Sequence, residues 1–154
     1  MRRSPIARVT LSLALYLAFT SGCGSGPEFA EVEGTVTLDG KPLPSVEVVF
    51  LPDAEKKTQG PTSACYTDDN GHYKLRCDGA GRAGALVGTH RVCVQDIAAM
   101  PPPAGHPLEA EFRSRPHGLR VPQKYSDTRQ TPFHDIEVRP GTQTVDLKLT
   151  SDRR

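Results

Sequence analysis

At 154 residues the chain has room for one domain, and 14 Gly with 14 Pro against a 36% hydrophobic share point to a small, turn-rich β domain. Nineteen Lys and Arg against eighteen Asp and Glu leave a formal charge of +1, which argues against a charge-driven nucleic-acid partner. Trp is absent and aromatics make up 6%, so the core must rest on Val, Leu, Ile and a few Phe and Tyr.

The amino terminus reads as an address. Residues 1–8, MRRSPIAR, carry three arginines, and residues 9–19, VTLSLALYLAF, form an unbroken run of apolar and small residues. A basic start, a short apolar stretch and a small-residue exit make a secretory signal. The apolar run is well short of the roughly 20 residues that span a bilayer. Arg2-Arg3 lacks the following apolar residues of a twin-arginine signal. The exit Ser21-Gly22-Cys23 resembles a bacterial lipobox, in which the Cys is acylated and becomes the first mature residue. It departs from that pattern at Thr20, where a Leu-like residue normally stands. The alternative is ordinary secretion with Cys23 as a plain thiol. On the lipobox reading, residues 1–22 are the signal peptide and residues 23–30 are the lipidated Cys23 with a short flexible tether.

The body then divides into alternating runs. Residues 31–53 place Val32, Val36 and Leu38, then Val46, Val48 and Phe50, on every second position, the period of half-buried strands. Residues 62–67 and 72–77 flank Asp68-Asp69-Asn70-Gly71, and Asn-Gly predicts a hairpin between them, with Tyr66 opposite Tyr73. Residues 78–87 are a glycine-rich connection. Residues 88–95 give another strand, with His90, Val92 and Val94 on one face. From 96 to 132 the periodicity stops, and a structureless stretch of that length tends to be functional or disordered. Residues 135–139 and 144–149 supply the last strands as a terminal hairpin, and 151–154 is a tail. About seven short strands predict an all-β sandwich over residues 31–150, with one long Pro-rich insertion at 96–132.

Glu33-Gly34-Thr35-Val36, Asp39-Gly40-Lys41-Pro42-Leu43, Val46-Glu47-Val48 and the run from Thr67 to Tyr73 resemble the carboxypeptidase regulatory-like domain. The resemblance implies a transthyretin-like (prealbumin-like, Ig-like) β-sandwich. It extends to a group of small bacterial lipoproteins through Gly88-Thr89-His90-Arg91-Val92, Val121-Pro122-Gln123-Lys124-Tyr125 and Thr131-Pro132. It covers roughly residues 31–149 and is specific for fold rather than activity. Gly34, a glycine within a strand, suits close approach of a neighbour or a bulge.

Zinc carboxypeptidases carrying such a domain use a His-x-x-Glu motif and a distant His. No His here has Glu three residues on, and His72, His90, His106, His117 and His134 lack the short spacings of zinc ligands. The related 5-hydroxyisourate hydrolases end in Tyr-Arg-Gly-Ser, whereas this chain ends Ser151-Asp152-Arg153-Arg154. A calcium loop through Asp68-Asp69-Asn70 would put Tyr66 first and Cys77 twelfth, so a plain turn fits better. His90 and Cys93, three apart on a strand, face opposite sides. Of the remaining thiols, the hairpin register sets Cys65 opposite Lys74 and Cys77 opposite Thr62. Cys65–Cys93 is left as the candidate disulfide, worth about 2–4 kcal/mol if formed, beside the alternative of three separate thiols.

These readings predict a non-enzymatic lipoprotein, exported and anchored to the extracytoplasmic side of a membrane in the cell envelope. Its expected role is structural or interactive, toward an envelope protein or carbohydrate, with no cofactor, metal or catalytic residues assigned and no nucleic acid. A second reading is a periplasmic small-ligand or carbohydrate-binding module with a pocket near Tyr73 or Tyr125. A third is an unrecognised hydrolase using a lone His with Asp.

Overall fold

A computed structural model of the chain describes residues 27–77, 80–100, 104, 105, 107 and 118–152. The elements that place the rest begin with β1 (Phe29–Leu38), which turns tightly into β2 (Lys41–Pro42). Leu38 pairs with Lys41, and Asp39 (φ 50) and Gly40 (φ 80) make the two-residue turn between them. Both positive angles are those of the hairpin turn that matches strand twist, which is why Asp-Gly stands there. β3 (Glu47–Pro52) follows, then β4 (Ser63–Tyr66), β5 (His72–Lys74) and β6 (Arg76–Cys77). β7 (Arg82–Ala83), β8 (Ala85–Leu86) and β9 (Gly88–Gln95) complete the first part of the chain. A single-turn helix α1 (Gln123–Ser126) precedes β10 (Ile136–Val138), β11 (Thr142–Thr144) and β12 (Leu147–Leu149).

These strands form a β-sandwich. In the first sheet β1 is central, with β5, β8 and β2 antiparallel along one side and β11 and β12 parallel along the other. The second sheet runs β10-β9-β3-β4-β6-β7. Between them lie the alternating residues the sequence marks: Val32 and Val36 of β1, Val46, Val48 and Phe50 along β3, and Val92 and Val94 of β9, all buried. Leu147 and Leu149 close the core from β12, while Glu31, Lys74, Arg76, Asp146 and Lys148 face water. All seven expected strand runs are present. The 72–77 run divides into β5 and β6, and the additions are β2, β7 and β8, pairs of residues too short to show a period, with β11, which overlaps the expected 144–149 run only at Thr144.

The pairing differs from the expected hairpins. The 68–71 turn forms, with the Asp68 amide donating to the His72 carbonyl at 2.9 Å and Gly71 at φ 72. Its arms nonetheless go to different sheets: β4 pairs with β3, and β5 pairs with β1. The chain returns to β4 only at β6, where Ala64 faces Arg76, so Tyr66 and Tyr73 are not partners. The Thr67 hydroxyl helps force the departure, since it donates to the Leu43 carbonyl and accepts from the Val46 amide. The terminal hairpin is likewise absent: β10 joins β9, while β11 and β12 join β1 across the sandwich.

Gly34 pairs with Tyr73 and lies against the Val145 backbone. Between β11 and β12 the ladder is interrupted at Val145 and Asp146 with its register kept, and the Val145 amide donates to the Glu33 carbonyl at 2.8 Å. The Asp146 carboxylate replaces the missing ladder acceptor for the Thr35 amide at 2.9 Å. A Cβ on Gly34 would sit 2.7 Å from the Val145 carbonyl carbon and 3.1 Å from Tyr73 Cε1, so only glycine fits. The Tyr73 hydroxyl donates to the same Val145 carbonyl at 2.6 Å.

The 96–132 stretch, expected to lack regular structure, holds α1. Its Tyr125 is buried, stacks on Phe133 with ring centroids 5.5 Å apart, and accepts a hydrogen bond from the Thr150 amide at 3.0 Å. One aromatic ring with a polar tip thus bridges a β9-side segment to the end of β12. The 131–133 segment binds β9 directly: the Phe133 carbonyl accepts from the Val92 amide, and the Thr131 hydroxyl donates to the Val92 carbonyl.

Candidate functional site

Two charged constructions stand out, at opposite ends of the sandwich. The first closes the base of the long insertion. Asp96 follows β9, and its side chain is 1% exposed. Arg120 meets it with two donors, Nε at 3.0 Å and Nη2 at 2.6 Å, and the Arg120 backbone amide adds a third at 2.9 Å. The same guanidinium reaches the Pro44 carbonyl at 3.0 Å and the Ser45 carbonyl at 3.2 Å. A planar guanidinium with five donors suits this combination of carboxylate and carbonyls. The result pins three segments together, at Pro44-Ser45, Asp96 and Arg120.

This clasp lies at the pole opposite the start of β1. Glu47, at the start of β3, pairs with Gln95, next to Asp96, and the Leu43 amide donates to Val36 near the end of β1. At the other pole Phe29 pairs with Leu86, and the Glu28 carbonyl accepts from Val87. At about 3.3 Å per residue the length of β1 separates the poles by about 30 Å.

The second construction is a cleft of about 280 Å³ between the corner after β3 and the segment before β10. Arg91 on β9 donates through Nε to Asp53 at 3.1 Å and through Nη2 to Glu55 at 2.8 Å. Burial alone would raise the Asp53 carboxyl, but the Arg91 hydrogen bond, the Glu55 amide and the guanidinium charge hold it below the usual carboxylate value. Arg91 is correspondingly raised, first by its hydrogen bond to Asp53. Lys56 bridges to Asp135 at 3.4 Å on the exposed rim. His134 Nδ1 lies 3.8 Å from Asp135, too far for a hydrogen bond, with its side chain 66% exposed. Thr131 lines the cleft but spends its hydroxyl on β9. The arrangement fixes a corner against β9 through charge pairs.

The other residues read from the sequence fall as follows. Cys23 lies outside the described residues, as do His106 and His117. Cys65 aligns with Val48 and Cys93 with Val49, so they occupy opposite faces of the second sheet with β3 between them. The candidate Cys65–Cys93 disulfide therefore does not form. Its premise fails because the hairpin register behind it is not the one the chain adopts. Cys93 is buried beside Asp127, and burial pushes its thiol up, with the Asp127 charge adding to the effect.

His90 is buried against Phe50 at 5.9 Å between ring centroids. Burial lowers its pKa, only partly countered by the Gly88 carbonyl at 3.2 Å from Nδ1. Asp68 accepts from the Asn70 and His72 amides, both at 2.9 Å, which is the bonding of a side-chain-closed turn. Among the described residues, no group of three His, Cys, Asp or Glu side chains is placed to hold a metal ion. Tyr73 and Tyr125, expected beside a ligand pocket, are 1% and 3% exposed and fill the core. Sequence reasoning missed the Asp96–Arg120 and Asp53–Arg91 pairs, whose partners stand 24 and 38 residues apart with no local signal.

No family model matches the chain, and no curated protein matches it. Among solved structures, catechol 1,2-dioxygenase from Acinetobacter sp. ADP1 inhibited by bound mercury aligns over 84% of this chain at 18% identity, with a TM-score of 0.36. The chain spans about half of that enzyme, 54% of its length, and a likeness at this level carries no conclusion about activity.

Proposed function

We propose that the chain is a membrane-anchored lipoprotein of the cell envelope that acts by contact rather than catalysis. The sandwich, of the transthyretin-like kind, holds its insertion toward a partner. The observation that carries this reading is polarity. Counting from Cys23, β1 begins six residues later, at Phe29, while the Asp96–Arg120 clasp ties the two ends of the insertion together at the far end of that strand. An acylated Cys23 would hold the Phe29 pole at the bilayer and set the clasp at the base of the insertion about 30 Å out, by the rise of β1. Such a domain needs no cofactor, and its partner is an envelope protein or carbohydrate.

The test uses a photo-crosslinking residue placed at Leu119, which is 68% exposed beside the clasp. A control at Arg139 lies toward the Phe29 pole, near the Gly141 carbonyl that accepts from Glu31. The reading expects an adduct from position 119 in intact envelopes and none from position 139. Adducts only from position 139, or none from either, overturn it.

A further inference from the structure

The outer face of the second sheet carries a hollow that neither charged construction uses. Along β3, Glu47, Val49 and Leu51 alternate with the buried core residues and point outward. On β4 the outward positions are Ala64 and Tyr66. Register places Tyr66 beside Glu47, and Ala64 between Val49 and Arg76. Because β5 has crossed to the first sheet, no strand among the described residues flanks Tyr66 on its far side, and Tyr66 is 62% exposed. The small Ala64 side chain therefore forms the floor of a depression of about 280 Å³, walled by Tyr66, Glu47 and Arg76.

The three walls share a further property. Among the described residues, the side chains of Glu47, Tyr66 and Arg76 make no hydrogen bond or ion pair within the protein. Arg91, Arg120 and Arg139, by contrast, are each held by a carboxylate. An aromatic side chain, a carboxylate and a guanidinium thus line one hollow around Ala64. Its volume lies just under the lower limit for drug-sized ligand pockets, about 300 Å³. That size suits a single ring.

We propose that this hollow binds one pyranose unit of a neutral polysaccharide. A pyranose ring has an apolar C–H face, which packs on the electron-rich face of Tyr66. Its equatorial hydroxyls both donate and accept, matching Glu47 and Arg76. One acid opposite one base gives no net attraction for polyanions, which disfavours nucleic acid and acidic polymers. An extended peptide pairs with open strand edges, whereas the hollow lies on a sheet face. The inference goes beyond the anchored-lipoprotein reading and stands whether or not Cys23 is acylated.

The test is affinity electrophoresis of the full-length protein in neutral detergent. The gels contain a mixed-linkage β-glucan, a soluble N-acetylglucosamine polymer, a galactomannan or, as the acidic arm, polygalacturonate. A proline-rich decapeptide is titrated separately. Retardation is expected with at least one neutral polymer. Tyr66→Ala and Ala64→Leu, the second filling the floor, should each weaken it at least about tenfold, the scale of one lost aromatic platform. Lys148→Ala, on the other sheet, should leave it unchanged. Both outward-face variants should melt close to the parent, since such substitutions stay within about 0.5 kcal/mol. Retardation by no neutral polymer, retardation untouched by both hollow variants, or binding of the peptide alone overturns the proposal.

Discussion

Substituting Gly34→Ala tests the central packing contact of the first sheet. The added Cβ would lie 2.7 Å from the Val145 carbonyl carbon and 3.1 Å from the Tyr73 ring. Both obstacles are held: the Val145 amide donates a hydrogen bond to the Glu33 carbonyl, and the Tyr73 hydroxyl donates one to the Val145 carbonyl. The strand must therefore move. Forced overpacking in a close-packed interior costs about 1–3 kcal/mol, and a lost buried hydrogen bond adds about 1 kcal/mol. The sum is about 2–4 kcal/mol, which for a domain of this size lowers the melting temperature by of the order of 10 °C. Thermal and urea unfolding of the variant, of Tyr73→Phe and of the double variant would measure it. The two substitutions disturb the same carbonyl, so their costs should fall short of additive by more than about 0.5 kcal/mol. A Gly34→Ala protein melting within a degree or two of the parent, or strictly additive costs, would refute the reasoning.

Other consequences are equally direct. Asp96→Ala leaves Arg120 without its carboxylate at the base of the insertion. Because Arg120 is about a third exposed, the expected loss is about 1–3 kcal/mol rather than the full cost of a broken buried pair. Limited proteolysis within 97–119 should accelerate before the sandwich unfolds. Tyr125→Phe removes the acceptor of the Thr150 amide and should cost about 1 kcal/mol in urea unfolding. His90, held neutral by burial, makes stability pH-dependent. Its folded pKa is depressed, so below its ordinary value of 6.5 the unfolded chain binds more protons and stability falls with pH until the folded value is passed. The melting temperature should drop between pH 7.5 and 5.0, and His90→Leu should flatten that drop. Asp53 acts lower on the scale: its folded pKa is depressed, so its contribution is present above about pH 4 and is lost as pH falls through the folded value.

The elements legible in the sequence are those whose signal is local. Val32 and Val36, or Val46, Val48 and Phe50, alternate because each strand has one buried face, and a period of two needs no partner to be seen. The turn at Asp68–Gly71 is legible for the same reason. What a turn does not reveal is where its arms go. Tyr73 leaves Tyr66 because β1 offers it a glycine at Gly34 and the segment between β11 and β12 a carbonyl at Val145, one 39 residues upstream and the other 72 downstream. The terminal strands separate because β9 and β1 are both open to pairing, a matter of topology rather than of residues 135–149. The Cys65–Cys93 expectation failed through this same error of register. Cys93 stands on a face expected to be polar, yet it is buried where the chain near Asp127 comes alongside β9. The clasp and the hollow were invisible for the same physical reason. Arg120 looks like any surface arginine until Asp96, Pro44 and Ser45 converge on it, and Ala64 is a floor only once Tyr66 and Arg76 stand around it.

Where the Phe29 pole is held is read most directly from the mass of the mature amino terminus together with membrane fractionation. The expected result is a chain starting at an acylated Cys23 that sediments with membranes, and a Cys23→Ser variant released from them. An unacylated chain starting at another residue, or a Cys23→Ser variant retained as firmly as the parent, would contradict the anchored arrangement and the distal presentation built on it.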